Sequence, residues 1–226
     1  YSTNSFQITK NKNDQFKNII NYGWESNTWN NYYVWNIYQK NFIEVLPNTS
    51  NVEIVGPILH ENSNNKNLIL KKFKYLKTIA LFDISIYRNY FYQLECMKSS
   101  YETPEIAIKF IKDIVELSEL KHIHILFKSK RKFSRRIHPK YKSFIEKFKH
   151  NNFHLIDPET SINSIFENSN ACISFPFTST SVLAKMYKIP SCFYDPSSKV
   201  YTMKNQSHNI DLIKSKKELN DWLDNI

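Results

Sequence analysis

The stretch ACISFPFTSTSVLAKMYKIPSCFY, residues 171–194, decides the fold. Its first five residues are apolar and β-prone, and Pro176 closes that run. Four hydroxyl residues, Thr178, Ser179, Thr180 and Ser181, lead into a helical pattern over 179–187. Pro190 stops the helix, and SCFY at 191–194 opens a second apolar run. Two short, nearly continuous apolar strands joined by a helix form a crossover unit, which pairs its strands in parallel with both sheet faces covered.

The same alternation extends upstream. Apolar runs recur at 78–82 (TIALF), 122–127 (HIHILF) and 153–156 (FHLI). A helix starts at Thr103-Pro104, a cap with proline in the first turn, and places Ile106, Phe110, Ile111, Ile114 and Leu117 on one face. Further helices are expected over about 140–150 and 161–168. A last one begins at Ser215, with Glu218 as its capping-box partner and Leu219 and Trp222 as its buried face. The expected fold class is α/β, a doubly wound, mostly parallel Rossmann-like sheet over residues 68–226.

Residues 1–67 read differently. The first 27 are polar. Between Thr28 and Leu46, Trp29, Tyr32, Trp35, Tyr38, Phe42 and Val45 recur every three or four residues, the period of a helix face. VEIV at 52–55 reads as a strand ending at Gly56-Pro57, and HENSNNKN at 60–67 as a linker. One helix and one strand close no core, so 1–67 is expected to be the end of a preceding domain, or a capping segment, plus the linker.

Composition excludes several classes. With 226 residues and 34 aromatic side chains the chain can bury a core. Two glycines, Gly23 and Gly56, leave no means of building a glycine-rich dinucleotide turn or a Walker A loop. The three cysteines, Cys96, Cys172 and Cys192, show no C-x-x-C spacing. Cys172 and Cys192 read as buried free thiols of a reducing compartment rather than as zinc ligands. No apolar run reaches the roughly 20 residues of a membrane span, and no secretory signal is visible. The net charge of +10 rests on 27 Lys against four Arg, beside 26 Asn, a usage that resembles an AT-rich genome and explains much of the charge by composition.

In an open parallel sheet, ligands gather beyond the carboxyl ends of the strands. After 78–82 comes Asp83, which either binds its own turn or faces the cleft. After 122–127 comes a basic loop opened by Lys128, with seven Lys and Arg in the thirteen residues 128–140, and with His138-Pro139 at its end. Lys128 and His138 suit a phosphate, while the basic run serves equally as a solvated face, a membrane contact or a nucleic-acid patch. Its one interleaved aromatic, Phe133, is thin for stacking on single strands, so no nucleic acid is expected as partner. Asp157-Pro158-Glu159 follows 153–156, either as base or ribose contacts or as a plain turn. Thr178, Ser179, Thr180 and Ser181 follow 171–175 at a helix start, where free N–H groups and the dipole favour an anion. One hydroxyl suffices as a cap; four exceed that need.

These motifs, H-P, D-P-E and S-F-P-F-T-S-T-S, resemble the C-terminal, donor-binding half of GT-B glycosyltransferases, and most closely bacterial sialyltransferases and Kdo transferases of capsule and lipopolysaccharide synthesis. The resemblance covers about residues 76–200. It implies a CMP-activated acidic sugar as donor and a glycan or lipid-linked glycan as acceptor. It implies no metal or other cofactor, and a cytoplasmic place, with peripheral contact at the inner face of the membrane. His138 and Pro139 match the family's His-Pro motif, with His138 stabilising the leaving phosphate. Ser179 and Thr180, or the overlapping Thr178-Ser179, match its Ser-Ser/Thr motif. Two features depart from the pattern. The loop from Lys128 to His138 is longer than usual, and neither Gly23 nor Gly56 has the acidic D/E-D/E-G context of a general base; Glu25 in Y-G-W-E-S is not that motif. Either the N-terminal half lies outside this chain or the activity is incomplete. The alternatives are a CDP-polyol phosphotransferase of teichoic-acid type, a non-catalytic donor-binding half and a nucleic-acid-binding module.

Overall fold

The computed structural model describes residues 28–44, 51–57, 68–94, 102–176, 178–200 and 207–226. Cys96 and the expected linker 60–67 lie outside them.

Six strands form one parallel sheet: β3 (Thr78–Phe82), β4 (His124–Lys128), β5 (Phe153–Ile156), β6 (Ala171–Ser174), β7 (Ser191–Tyr194) and β8 (Asp211–Ile213). Their spatial order is β5-β4-β3-β6-β7-β8, every neighbouring pair parallel. Counted within the sheet this is the 3-2-1-4-5-6 order of the Rossmann fold, and its direction reverses between β3 and β6. The expected doubly wound sheet is present. Register aligns Ile156, Lys128, Phe82, Ser174 and Phe193 as one row across the sheet, so the residues just beyond that row form a common edge.

Alternate strand side chains enter two cores. On one face, Ile79, Leu81, Ile125, Phe127, Ile173 and Tyr194 meet α4 (Pro104–Leu120), α5 (Pro139–Lys147) and α8 (Lys216–Asp224). On the other, Ala80, Phe82, Leu126 and Cys172 meet α2 (Leu68–Lys71), α6 (Ile162–Phe166) and α7 (Ser179–Met186). A further short helix, α3 (Asn89–Leu94), follows the β3 tip. The thiols of the two described cysteines, Cys172 and Cys192, are buried and free, and burial pushes that of Cys172 up to about 12. Such thiols are inert packing groups.

Capping residues start the helices where the sequence places them. Thr103 Oγ1 accepts from Ile106 N at 3.4 Å, with Pro104 in the first turn of α4. Ser215 Oγ accepts from Glu218 N at 3.1 Å, while Glu218 Oε2 reaches back to Lys214 N at 2.9 Å. The buried face of α8 is Leu219 and Leu223; Trp222, expected inside, is only half-buried.

The expected helix over 28–46 is corrected. Residues Asn31–Val34 form β1 and Ile37–Glu44 form α1, and β1 pairs in parallel with β2 (Asn51–Ile54). Tyr32 and Val34 alternate inward from Tyr33, and aromatic and β-branched residues favour that extended form. Asn36 then opens α1: its Oδ1 accepts from Gln39 N at 3.0 Å, and Gln39 Oε1 accepts from Trp35 N at 2.6 Å. Asn36 Nδ2 also lies 3.0 Å from His208 Nδ1, and Trp35 packs on the second core, which ties this segment to the main sheet.

Candidate functional site

The strand order puts the crevice at the carboxyl ends of β3 and β6. Asp83 follows β3 there, and the segment Phe175, Pro176, Thr178 follows β6. Thr178 N donates to Phe175 O at 3.3 Å, a tight turn that sets Thr178 at the N-cap of α7 with extended backbone. Its hydroxyl makes no cap bond; it pairs with Thr180 Oγ1 at 3.1 Å. The ordinary job of a helix-start hydroxyl is therefore left undone, and the first amides of α7 keep their donor capacity at the tip. Thr178, Ser179 and Thr180 are all half-buried, and the Ser179 hydroxyl has no partner among the described residues.

Ser181 requires a correction. It is 0 % exposed, its Oγ lies 2.6 Å from Ser174 Oγ and donates to Cys192 O at 3.2 Å. Two positions beyond Ser179, about 200° around the helix, it falls on the opposite face, packed against β6 and β7. It fastens α7 to the sheet and does not line the tip.

His138 is the N-cap of α5, and its Nδ1 accepts from Lys140 N at 3.3 Å. Pro139 occupies the first helical turn, where its missing N–H costs nothing. His138 N donates to Ile86 O at 2.8 Å, and Tyr87 bridges to Ile137, so the end of the basic loop is stitched to the segment after β3. Because Nδ1 accepts, the neutral imidazole carries its proton on Nε2, which is the nitrogen left to donate.

Lys128 ends β4, one strand from β3. Burial lowers the pKa of its half-buried ammonium, and the carboxylates of Asp83, Glu159 and Asp157 act against that effect. Asp157 and Glu159 form the plain turn: Asp157 Oδ1 accepts from Glu159 N at 2.8 Å, and Thr160 N donates to Asp157 O at 2.9 Å. Glu159 Oε1 also meets Lys132 Nζ at 3.3 Å in an exposed pair worth little energy. Phe133 packs edge-on against Tyr141 at 6.4 Å, so the one aromatic of the basic loop is committed to the core.

Asp83 is a buried carboxylate at the switch point, 5 % exposed. Its Oδ1 accepts from Lys130 N at 2.9 Å and its Oδ2 from Tyr141 Oη at 2.5 Å. Desolvation pushes it up to about 6, against the opposing effect of these two donors. Tyr141, fully buried in the first turn of α5, carries no signal in the sequence beyond its place on an apolar helix face three residues after His138. Among the described residues no three His, Cys, Asp or Glu side chains gather as a metal site, and no helix is long and apolar enough to cross a membrane.

A family model described as polysaccharide biosynthesis PFTS motif protein matches residues 1–223. The four letters of that description are spelled once in the chain, at residues 176–179, the tip of β6. No curated protein matches it.

Proposed function

The chain belongs to the polysaccharide biosynthesis PFTS motif family, and from that premise we propose that the β3/β6 crevice binds the nucleotide of an activated sugar, a CMP-linked acidic sugar, for glycosyl transfer onto a growing glycan. The observation that carries this reading is the α7 start: a tip at the switch point whose hydroxyls are not spent on capping. Such a helix start attracts phosphate without any glycine cradle.

In this reading the acceptor hydroxyl loses its proton to a base outside the described site and attacks the anomeric carbon. The bond from that carbon to the phosphate oxygen breaks, and CMP leaves with the electron pair. Ser179, Thr180 and the first amides of α7 hold the phosphate; His138 donates through Nε2 and Lys128 supplies positive charge as the leaving group gains its own. The scheme calls on no metal. Asp157, its carboxylate bound into its own turn, meets the base or ribose by backbone groups, while the exposed carboxylate of Glu159, beside Lys132, is left to reach them.

Titration calorimetry with CMP tests this. Wild type is expected to bind, and Ser179→Ala and His138→Ala each to weaken binding about tenfold, or about 1.4 kcal/mol. Absence of CMP binding by the wild type, or wild-type affinity in both variants, refutes the proposal.

A further inference from the structure

We propose that Asp83 is the positioning residue of this tip: its carboxylate clamps the basic loop and α5 to the end of β3, and its charge sets how strongly the crevice attracts an anion. This rests on the reading that the tip takes an anionic phosphate.

The clamp is geometric. One oxygen holds the Lys130 backbone and the other the Tyr141 hydroxyl, so a single side chain joins the end of β3 to the loop that follows Lys128 and to the helix that His138 caps. The joint is reinforced by His138 N to Ile86 O and by Arg88 N to Arg136 O at 3.0 Å. The basic loop after Lys128 and the start of α5, which carries His138, are thereby held to the end of β3 by one carboxylate.

The charge effect follows from the surroundings. The groups facing Asp83 are Tyr141 from α5, Lys130 from the loop and Lys128 from β4. An ionised Asp83 offsets the Lys128 ammonium and repels a phosphate; a protonated one does neither. Burial holds the carboxyl at about 6, so the switch falls within the working range of a cell. Protonation keeps the clamp, because Oδ1 still accepts from Lys130 N while the protonated Oδ2 donates to the Tyr141 oxygen. Anion binding and proton uptake at Asp83 are thereby linked.

The test measures CMP and inorganic pyrophosphate affinity from pH 5 to 8 for wild type, Asp83→Asn, Asp83→Ala and Tyr141→Phe. Ratios between proteins cancel the titration of the ligands themselves. Asp83→Asn keeps both contacts without the charge, and is expected to bind about tenfold tighter than wild type at pH 8 and equally at pH 5. Asp83→Ala removes the clamp and is expected to bind weakly throughout. Tyr141→Phe removes one donor to the ionised form, so the midpoint of the pH dependence moves upward; this milder change also serves if Asp83→Ala fails to fold. Identical pH profiles in wild type, Asp83→Asn and Tyr141→Phe overturn the inference even if CMP binds. Loss of CMP binding with pyrophosphate binding and the Asp83 profile retained overturns the nucleotide reading alone. Failure of both anions to bind overturns both.

Discussion

Ser179 and Ser181 differ by two positions and by role. Ser179 stands at the tip with a hydroxyl that has no partner among the described residues, whereas Ser181 Oγ is held by Ser174 and by Cys192 O inside the sheet–helix contact. Ser181→Ala leaves buried polar groups short of a partner and is expected to cost about 1–3 kcal/mol in urea unfolding, with CMP affinity unchanged; Ser179→Ala is expected to show the reverse. Asp83 gives a second residue-scale prediction, now for stability. Its folded value, about 6, lies above the ordinary 3.8, so the native state holds this proton more tightly than the unfolded chain. The stabilisation is fully present below 3.8 and is lost as pH rises through 6. The difference amounts to about 3 kcal/mol. Unfolding free energy measured across that window is expected to fall with rising pH in wild type more steeply than in Asp83→Asn; equal slopes would show that the carboxyl titrates normally.

Elements begin where short side chains stand in for missing backbone partners. Thr103, Ser215 and Asn36 each accept from an amide three residues on, and His138 accepts from one two residues on, through a ring nitrogen, at the start of α5. Ser215→Ala is expected to lower stability by about 1 kcal/mol, read as a shifted urea midpoint at constant m-value. Two starts depart from this habit: Ser161 makes no cap bond at α6, and at α7 Thr178 has the N-cap backbone but bonds Thr180 instead. Of these two, α7 starts at the switch point, where uncapped first amides face the crevice. Thr178→Asp, which supplies a carboxylate at that cap, is therefore expected to stabilise the fold and to abolish CMP binding.

At the scale of the molecule, the reversal of strand order between β3 and β6 creates the crevice, and the two cores hold its walls in place. Phe110 lies at the centre of the larger core, 5.2 Å from Phe175 and 6.0 Å from Tyr194 by ring centroids. Phe175 leads directly into the tip. Phe110→Ala is expected to cost about 3–5 kcal/mol of stability, measured by denaturant unfolding, and to blur the tip that Phe175 supports.

Much of this was legible in residue order, because it is local physics. Five of the six sheet strands, the caps Thr103 and Ser215 and the hydroxyl start of α7 follow from apolar period, proline placement and capping chemistry within a few residues. Where two local patterns competed, the choice was not legible: Tyr32, Trp35 and Phe42 fit a helix period, and the Asn36–Gln39 capping signal that divides the segment was the clue against it. The strand Asp211–Ile213 is too short and mixed to announce itself, and forms because β7 offers it an edge. Strand order, the inward turn of Ser181 and the meeting of Asp83 with Tyr141, 58 residues away, were decided only by the tertiary fold. Periodicity records which face of an element is apolar, but not which distant element will cover it; that is settled by packing, through contacts whose partners have no fixed separation along the chain.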